Sequence, residues 1–288
     1  MAGAEPQTPL LVRNFSDTAL WAAMHRAWEM ERPDALFRDP FARKLAGERG
    51  EKIATKFSPG RKDAWSWVTR TYIVDRDIMD QVAQGADTVV NLAAGLDTRP
   101  YRMTLPASLR WVEVDLAGIL DYKEEILSDE KPVCRLDRVR LDLGDAGARR
   151  ELFARLGGEA KRVLILSEGL LIYLTPEDVR SLARDLAAVA SFTHWVCDIT
   201  SPGVKRMLEK RVGGELNRAG APFKFAPKEG PGFFATCGRK PVAVRSLLKT
   251  AAQLHRLTFL FRLMALLPES SGRQGSRPWS GVCLLEKA

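Results

Sequence analysis

From Asp87 onward the chain carries five short apolar runs with helical stretches between them. TVVNLAAG ends at Gly95, WVEVDL reaches Asp115, VRLDLGD ends with Asp142 and Asp145, RVLILSEG reaches Glu168, and HWVCDIT holds Asp198. The segments between them, DYKEEIL, ARRELFARLGG and PEDVRSLARDLAAVA, have helical spacing. Runs that are apolar throughout suit strands buried on both faces. Alternation with helices makes them a parallel sheet covered on two sides. Ligands of such sheets bind beyond the carboxyl ends of the strands, so the residues closing each run are the first place to look for chemistry.

The flanking regions read differently. The first ten residues lack periodicity and are expected to form a loose arm. Ser16 and Asp17 offer N-caps to a helix carrying Leu20, Met24, Ala27 and Met30. Two further helical stretches follow, FARKLAGERGEKIATKF and DAWSWVTRTYIVDRDIMDQVAQ, separated at Pro59-Gly60. Residues 1–85 are therefore expected to form a helical cap, and 86–288 a sheet domain, the two making one compact unit. After HWVCDIT comes a Gly-, Pro- and Lys-rich region, expected to form a lid around 201–235. KPVAVRSL and GVCLLEK are expected as the last strands.

Charge is unevenly placed. The 288 residues carry a net +8, but residues 201–288 hold 16 basic and 5 acidic residues, a net +11. An anionic partner or solvated helix faces both account for such an excess. The four cysteines and three histidines are too scattered for a zinc site, so no metal is expected. The N-terminus lacks the pattern of a signal peptide. LTFLFRLMALLP is too short to span a bilayer and contains Arg262. A reduced, cytoplasmic protein is expected, without a nucleic-acid module.

At the strand ends each candidate has two readings. Gly95 lets the backbone approach a ligand, or simply turns the chain. Ala93 and Thr98 occupy the other glycine positions of a dinucleotide fingerprint, which is thus absent. Asp115 lies 20 residues after Gly95, the spacing of an acceptor for ribose hydroxyls, or it caps the next helix. Asp142 with the Leu143 backbone could meet an adenine amine and ring nitrogen, or Asp142 makes a turn. Glu168 interrupts the apolar stretch VLILSEGLLIYL and calls for a cationic partner, either a ligand ammonium or an arginine. Arg26 and Arg70 in the cap could face a ligand carboxylate, or lie on solvated helix faces. Together these groups suit an adenosine joined to a zwitterionic amino acid without phosphate. S-adenosylmethionine fits that description better than NAD does.

The chain resembles the leucine carboxyl methyltransferase family, and more closely its bacterial branch of S-adenosylmethionine-dependent methyltransferases, some acting on polyketides. The matching segments are SDTALWAAMHRAWEMERPDALFRDPFA, TRTYIVDRDI, VVNLAAGLDTRPYRM, VEVDL, LDLGD and SEGLLIYL, in order over about 160 residues. The resemblance implies a class I methyltransferase fold, Rossmann-like, with a seven-stranded sheet whose last strand is antiparallel. It implies that Arg70 holds the methionine carboxylate, Gly95 lies at the cofactor's amino-acid end and Asp115 binds the ribose. Asp142 and Leu143 would hold the adenine, Glu168 would lie near the methionine amino group, and Tyr173 would face the substrate. Arg26 falls near a basic cofactor contact only through a gapped alignment. Ala93 stands where the family often has Gly, and is expected to be tolerated if its backbone angles are ordinary.

The activity so implied is O-methyl transfer to a carboxylate or hydroxyl of a small, polyketide-like molecule. No side chain stands out as a general base, which favours an acidic acceptor. Lys205, Arg206, Lys210 and Arg211 in the lid are expected to draw an anionic acceptor in. The run LHRLTFLFRLMALLP serves as an apolar wall of the pocket, or as core or dimer packing. Two other classes stay open: a nicotinamide-dependent oxidoreductase, which lacks its glycines and a Tyr-x-x-x-Lys pair here, and a non-catalytic nucleotide-binding module.

Overall fold

The computed structural model describes residues 12–14, 16–61 and 64–288; the arm expected over the first ten lies outside them. Helices α1 (Asp17–Met30), α2 (Ala42–Phe57) and α3 (Ala64–Ala83) precede β1 (Thr88–Leu92). There follow α4 (Arg99–Arg102), β2 (Arg110–Asp115), α5 (Ala117–Ile126), β3 (Arg135–Arg140), α6 (Ala146–Glu159), β4 (Val163–Ser167), α7 (Pro176–Ala188) and β5 (Phe192–Thr200). The last part holds α8 (Pro202–Leu208), α9 (Gly214–Arg218), β6 (Arg239–Ser246), α10 (Leu247–Gln253), α11 (Phe259–Leu266) and β7 (Ser280–Lys287).

The seven strands form one sheet in the order β3-β2-β1-β4-β5-β7-β6. Strands β1 to β5 pair in parallel, while β7 enters antiparallel between β5 and β6. This is the sheet that the resemblance implied. Successive residues along each strand point to opposite faces. Val90, Val112 and Ile165 pack with Phe153, Leu182 and Trp195 on one side. Val89, Trp111 and Leu164 pack with Ile73 and Ile78 on the other. A third cluster joins the cap to the region after β5, with Trp21, Met24 and Ile53 against Leu216 and Phe223.

Local sequence explains most boundaries. Thr175 and Asp178 form a reciprocal capping box with Pro176 in the first turn of α7. Asp145 accepts from the Gly147 and Ala148 amides and caps α6. Ser16 occupies the N-cap of α1, but its side chain makes no capping bond. Instead, the Asp17 carboxylate takes the Arg13 amide and the Arg49 guanidinium, each at 2.7 Å. The second helical stretch is broken at Gly47, whose φ is +56°.

One strand differs from the expectation. The third strand covers Arg135–Arg140, not VRLDLGD, so Asp142 and Asp145 lie in the loop beyond it. β3 is the edge of the sheet, and its residues are exposed or half-buried rather than apolar on both faces. The last apolar pair, Leu141 and Leu143, thus belongs to the turn that follows the strand.

Candidate functional site

A cavity of about 1000 Å³ opens at the carboxyl edge of the sheet, between the cap, the strand-end loops and the segment after β5. Arg70, Gly95, Asp115, Asp142, Leu143, Glu168 and Tyr173 all line it, and so does Arg26.

The turn after β1 is left-handed twice, at Ala93 (φ +52°) and Gly95 (φ +49°). The Gly95 amide donates to Asp115 Oδ2 at 2.7 Å, and the Leu116 amide to Oδ1 at 2.8 Å. Asp115 therefore ties the glycine turn to the end of β2 and keeps lone pairs directed at the cavity. Burial pushes its carboxyl above the usual range, against the Gly95 and Leu116 amides and Lys123. A Cβ on Gly95 would stand 3.2 Å from the Ala19 Cβ. Ala93 does not have the ordinary angles on which its tolerance was conditioned; it holds a conformation that costs an L-residue about 1–2 kcal/mol.

Beyond β3, Asp142 accepts the Gly144 amide at 2.8 Å, and the Leu143 carbonyl accepts Arg149 Nη1 at 2.7 Å. The turn reading of Asp142 is thus true, and the turn places both residues on the cavity wall.

Charge converges on the loop after β4. Arg70 Nε donates to Glu168 Oε1 at 2.9 Å and its Nη1 to Asp198 Oδ2 at 3.0 Å. Asp198 also accepts the Gly169 amide at 2.7 Å. Arg99 Nη2 donates to Glu168 Oε2 at 2.8 Å, while its other nitrogens meet Asp97 and Asp75. Burial opposes ionisation of Glu168, but Arg99 and Arg70 outweigh it and hold the carboxyl below its usual range. The arginine partners that the sequence allowed for Glu168 are real, and both, Arg70 and Arg99, lie with it on the cavity wall. Arg26 is not on a solvated face. Its Nε meets Asp39 at 2.8 Å and its Nη2 the Leu96 carbonyl at 2.6 Å, so it fastens the glycine turn to the cap.

Asp198 and Arg99 were not singled out from the sequence as site residues. Asp198 had a signal, since it lies near the end of the fifth run as Glu168 does of the fourth. Arg99 had none beyond its position in the turn after β1, because its partners come from three separate segments.

Tyr173, near enough to Arg70 and Asp198 to feel their charges, sits in a single turn, Leu171–Tyr173, with its ring 5.7 Å from that of Phe223. Burial raises its phenol above the ordinary value, so it stays protonated at neutral pH. Of the four lid cations, Arg211 lines the cavity and donates to the Phe57 carbonyl. Lys205 pairs with Glu209, and Arg206 and Lys210 are exposed. The apolar run near the C-terminus does provide wall, through Phe261, Met264 and Leu267. His25 is a packing residue, stacked on Trp67 at 5.2 Å. Among the described residues no group of three or more His, Cys, Asp or Glu side chains is placed to hold a metal.

The sequence model for leucine carboxyl methyltransferases matches residues 19–187. A Frankia alni protein provisionally named an S-adenosyl-L-methionine-dependent methyltransferase is 35% identical over 185 residues, 60% of this chain and 64% of its own length. A Streptomyces avermitilis protein of the same provisional name is 35% identical over 198 residues, 65% of this chain and 70% of its own. The match thus spans under two thirds of the Frankia relative. A solved DUF574-family protein from Streptomyces avermitilis aligns with a TM-score of 0.59 and 15% identity, covering 93% of this chain and 97% of its own. A Thermobifida fusca protein provisionally described as a methyltransferase gives 0.57 and 16%, covering 97% and 96%. At these identities the likeness establishes the class I methyltransferase fold over nearly the whole chain.

Proposed function

The chain belongs to the leucine carboxyl methyltransferase family, and from that premise we propose that it is an S-adenosylmethionine-dependent O-methyltransferase acting on a carboxylate or hydroxyl of a small molecule. The observation that carries this reading is the convergence of strand-end groups on one cavity wall. Asp115 is fixed by two backbone amides at the end of β2, Asp142 and Leu143 stand beyond β3, and the Arg70–Glu168 pair stands beyond β4.

These residues fit the cofactor's chemistry. The two oxygens of Asp115 each keep acceptor capacity for a ribose hydroxyl. Asp142 can accept an adenine amine while the apolar Leu143 borders the ring. Arg70 offers a guanidinium to a carboxylate, and Glu168, ionised between two arginines, offers an acceptor to an ammonium. Gly95 leaves the amino-acid end room that a side chain would take.

S-adenosylmethionine supplies a methyl group already activated by its sulfonium. Bound here, it would give up that methyl with the sulfur keeping the C–S electron pair, and a hydroxyl acceptor, unlike a carboxylate, would also have to release its proton. What this chain contributes is alignment of the acceptor oxygen behind that methyl. Positioning of this kind is worth about 7–11 kcal/mol. An acceptor carboxylate is anionic at neutral pH and needs no base. Tyr173, held as a phenol beside Phe223, can donate to an acceptor oxygen and orient it. The cap and the segment after β5 keep water from the transfer site. The setting proposed is cytoplasmic, and one compact unit of cap, sheet and lid carries the reaction.

Calorimetry with S-adenosylhomocysteine and NADH tests the cofactor; binding of NADH alone would overturn the reading. Transfer of labelled methyl from S-adenosylmethionine to a panel of carboxylic acids and phenols tests the reaction. Cofactor binding without transfer to any of them would leave a binding module instead.

A further inference from the structure

Helix α11 has its apolar side facing outward. Surface helices bury the apolar stripe and expose the polar one. Here Ala265 is buried and Phe261 half-buried, whereas Phe259 is 77% exposed, Leu260 66%, Leu263 48% and Leu266 79%. At 100° per residue these four side chains fall on one contiguous arc of the helix, with Met264 and the following Leu267 extending it. Met264 and Leu267 are themselves exposed and also line the cavity, so the patch runs up to the cavity mouth. Met207, exposed on α8, lines the same cavity. A contiguous exposed patch of this kind marks an interaction surface.

The charges around the patch say what covers it. Between Leu254 and Trp279 the chain has Arg256, Arg262, Arg273 and Arg277 against Glu269, a net +3. Arg256 is matched by Glu29 and Asp34. Arg262 and Arg277 instead donate to the main-chain carbonyls of Leu257 and Pro268, which leaves their charge uncompensated, and Arg273 is exposed. Arg262 borders the apolar arc on the helix itself. A symmetric contact with a second copy would bring the same net positive charge to both sides of the contact. An anionic surface with an apolar interior complements both features at once. We infer that α11 is a peripheral docking element that seats the cavity mouth on an anionic lipid bilayer, with Phe259, Leu260, Leu263 and Leu266 in the acyl boundary and Arg262, Arg273 and Arg277 at the headgroups.

The test is sedimentation of the full chain with vesicles of phosphatidylcholine alone or mixed with phosphatidylglycerol. The wild-type protein is expected to partition onto the mixed vesicles, less so at high salt, and weakly onto phosphatidylcholine. Phe259→Asp combined with Leu263→Asp is expected to lower that partition more than about tenfold, while the thermal midpoint is unchanged because both side chains are exposed. Arg262→Gln is expected to reduce the preference for phosphatidylglycerol. Failure of the wild type to bind mixed vesicles overturns the inference, as does unaltered binding by the folded double variant. It is also overturned if the wild type is a lipid-free dimer that the double variant converts to a monomer while neither binds vesicles.

Discussion

Arg70 and Glu168 are bonded to each other, Nε to Oε1 at 2.9 Å, although each is assigned to an opposite charge of the same amino-acid ligand. The pair is held from outside, by Asp198 on Arg70 and by Arg99 on Glu168, so both groups are already ionised and aimed before a zwitterion arrives. Ligand charges then add to a network whose orientation is set, and little reorganisation is needed.

Arg70→Lys keeps the charge but loses the planar fork that reaches Glu168 and Asp198 together. Affinity for S-adenosylhomocysteine is expected to fall, by about 1.5–3 kcal/mol, with adenosine affinity nearly unchanged. Equal losses for the two ligands in calorimetry would place Arg70 in the fold and not at the ligand carboxylate.

Asp115→Ala removes the acceptor proposed for the ribose and also frees the Gly95 and Leu116 amides. Cofactor affinity is expected to drop by about 1.5–3 kcal/mol, for adenosine as much as for S-adenosylhomocysteine. A folded variant with unaltered affinity for both is the contrary result.

The two left-handed residues after β1 should respond in opposite directions. Gly95→Ala places a Cβ 3.2 Å from Ala19 in a backbone region that disfavours it, and should lose about 1–2 kcal/mol of stability in urea unfolding. Ala93→Gly relieves the strain at φ +52° and gives back part of it as unfolded-chain entropy, for a net gain of about 0.5–1 kcal/mol. A loss on Ala93→Gly would mean that the Ala93 methyl contributes more by packing than its angles cost.

Two buried groups bend the pH dependence of stability in opposite senses. Burial pushes Asp77 up from 3.8 to about 6, against its pairing with Arg245. Between those values the native state keeps a proton that the unfolded chain has released, so Asp77 makes stability fall as pH rises. His25 is lowered from 6.5 to about 3, by burial first and then by Arg70 and Arg211. There the unfolded chain holds the extra proton, and stability rises with pH. Asp77→Asn should therefore steepen the gain in stability between about pH 4 and 6, by roughly 3 kcal/mol across the window, and His25→Phe should flatten it. Urea titrations at several pH values read the slopes directly; unaltered slopes in both variants would refute the assignment.

The central strands were legible in the sequence because burial on both faces makes them mostly apolar, with few interruptions such as Asn91 in β1 and Glu113 in β2. β3 was misplaced because an edge strand, RLDRVR, has no such requirement, and the apolar pair that caught the eye lies past its end. Gly95, Asp115 and Glu168 could be found because strand ends in a parallel sheet share one edge. The partners of Arg99 could not, since Asp75, Asp97 and Glu168 meet only once the chain has folded. Nor did spacing reveal the positive φ of Ala93, which is a property of the turn and not of the residue type. In the region after β5, short helices interrupted by a π-helical turn at Glu209–Gly213 leave no period to read.

Ser201 and Trp279 are joined in both directions, the Ser201 amide to the Trp279 carbonyl at 2.8 Å and the Trp279 amide to Ser201 Oγ at 2.9 Å. Residues 202–278 therefore form one excursion between the end of β5 and the start of β7, closed by this pair of bonds. That excursion contains α8 to α11 and the edge strand β6, and it supplies one side of the cavity. The family match ends at residue 187, before it begins. Along the chain the molecule thus divides into a part that carries the strand-end groups of β1 to β4 and an excursion that lines the cavity and is rooted in the main core through Phe225, Phe233 and Phe234. Transplanting a relative's counterpart between these two residues is expected to alter the choice of acceptor, while Tyr173 and the strand-end residues of β1 to β4 stay in place.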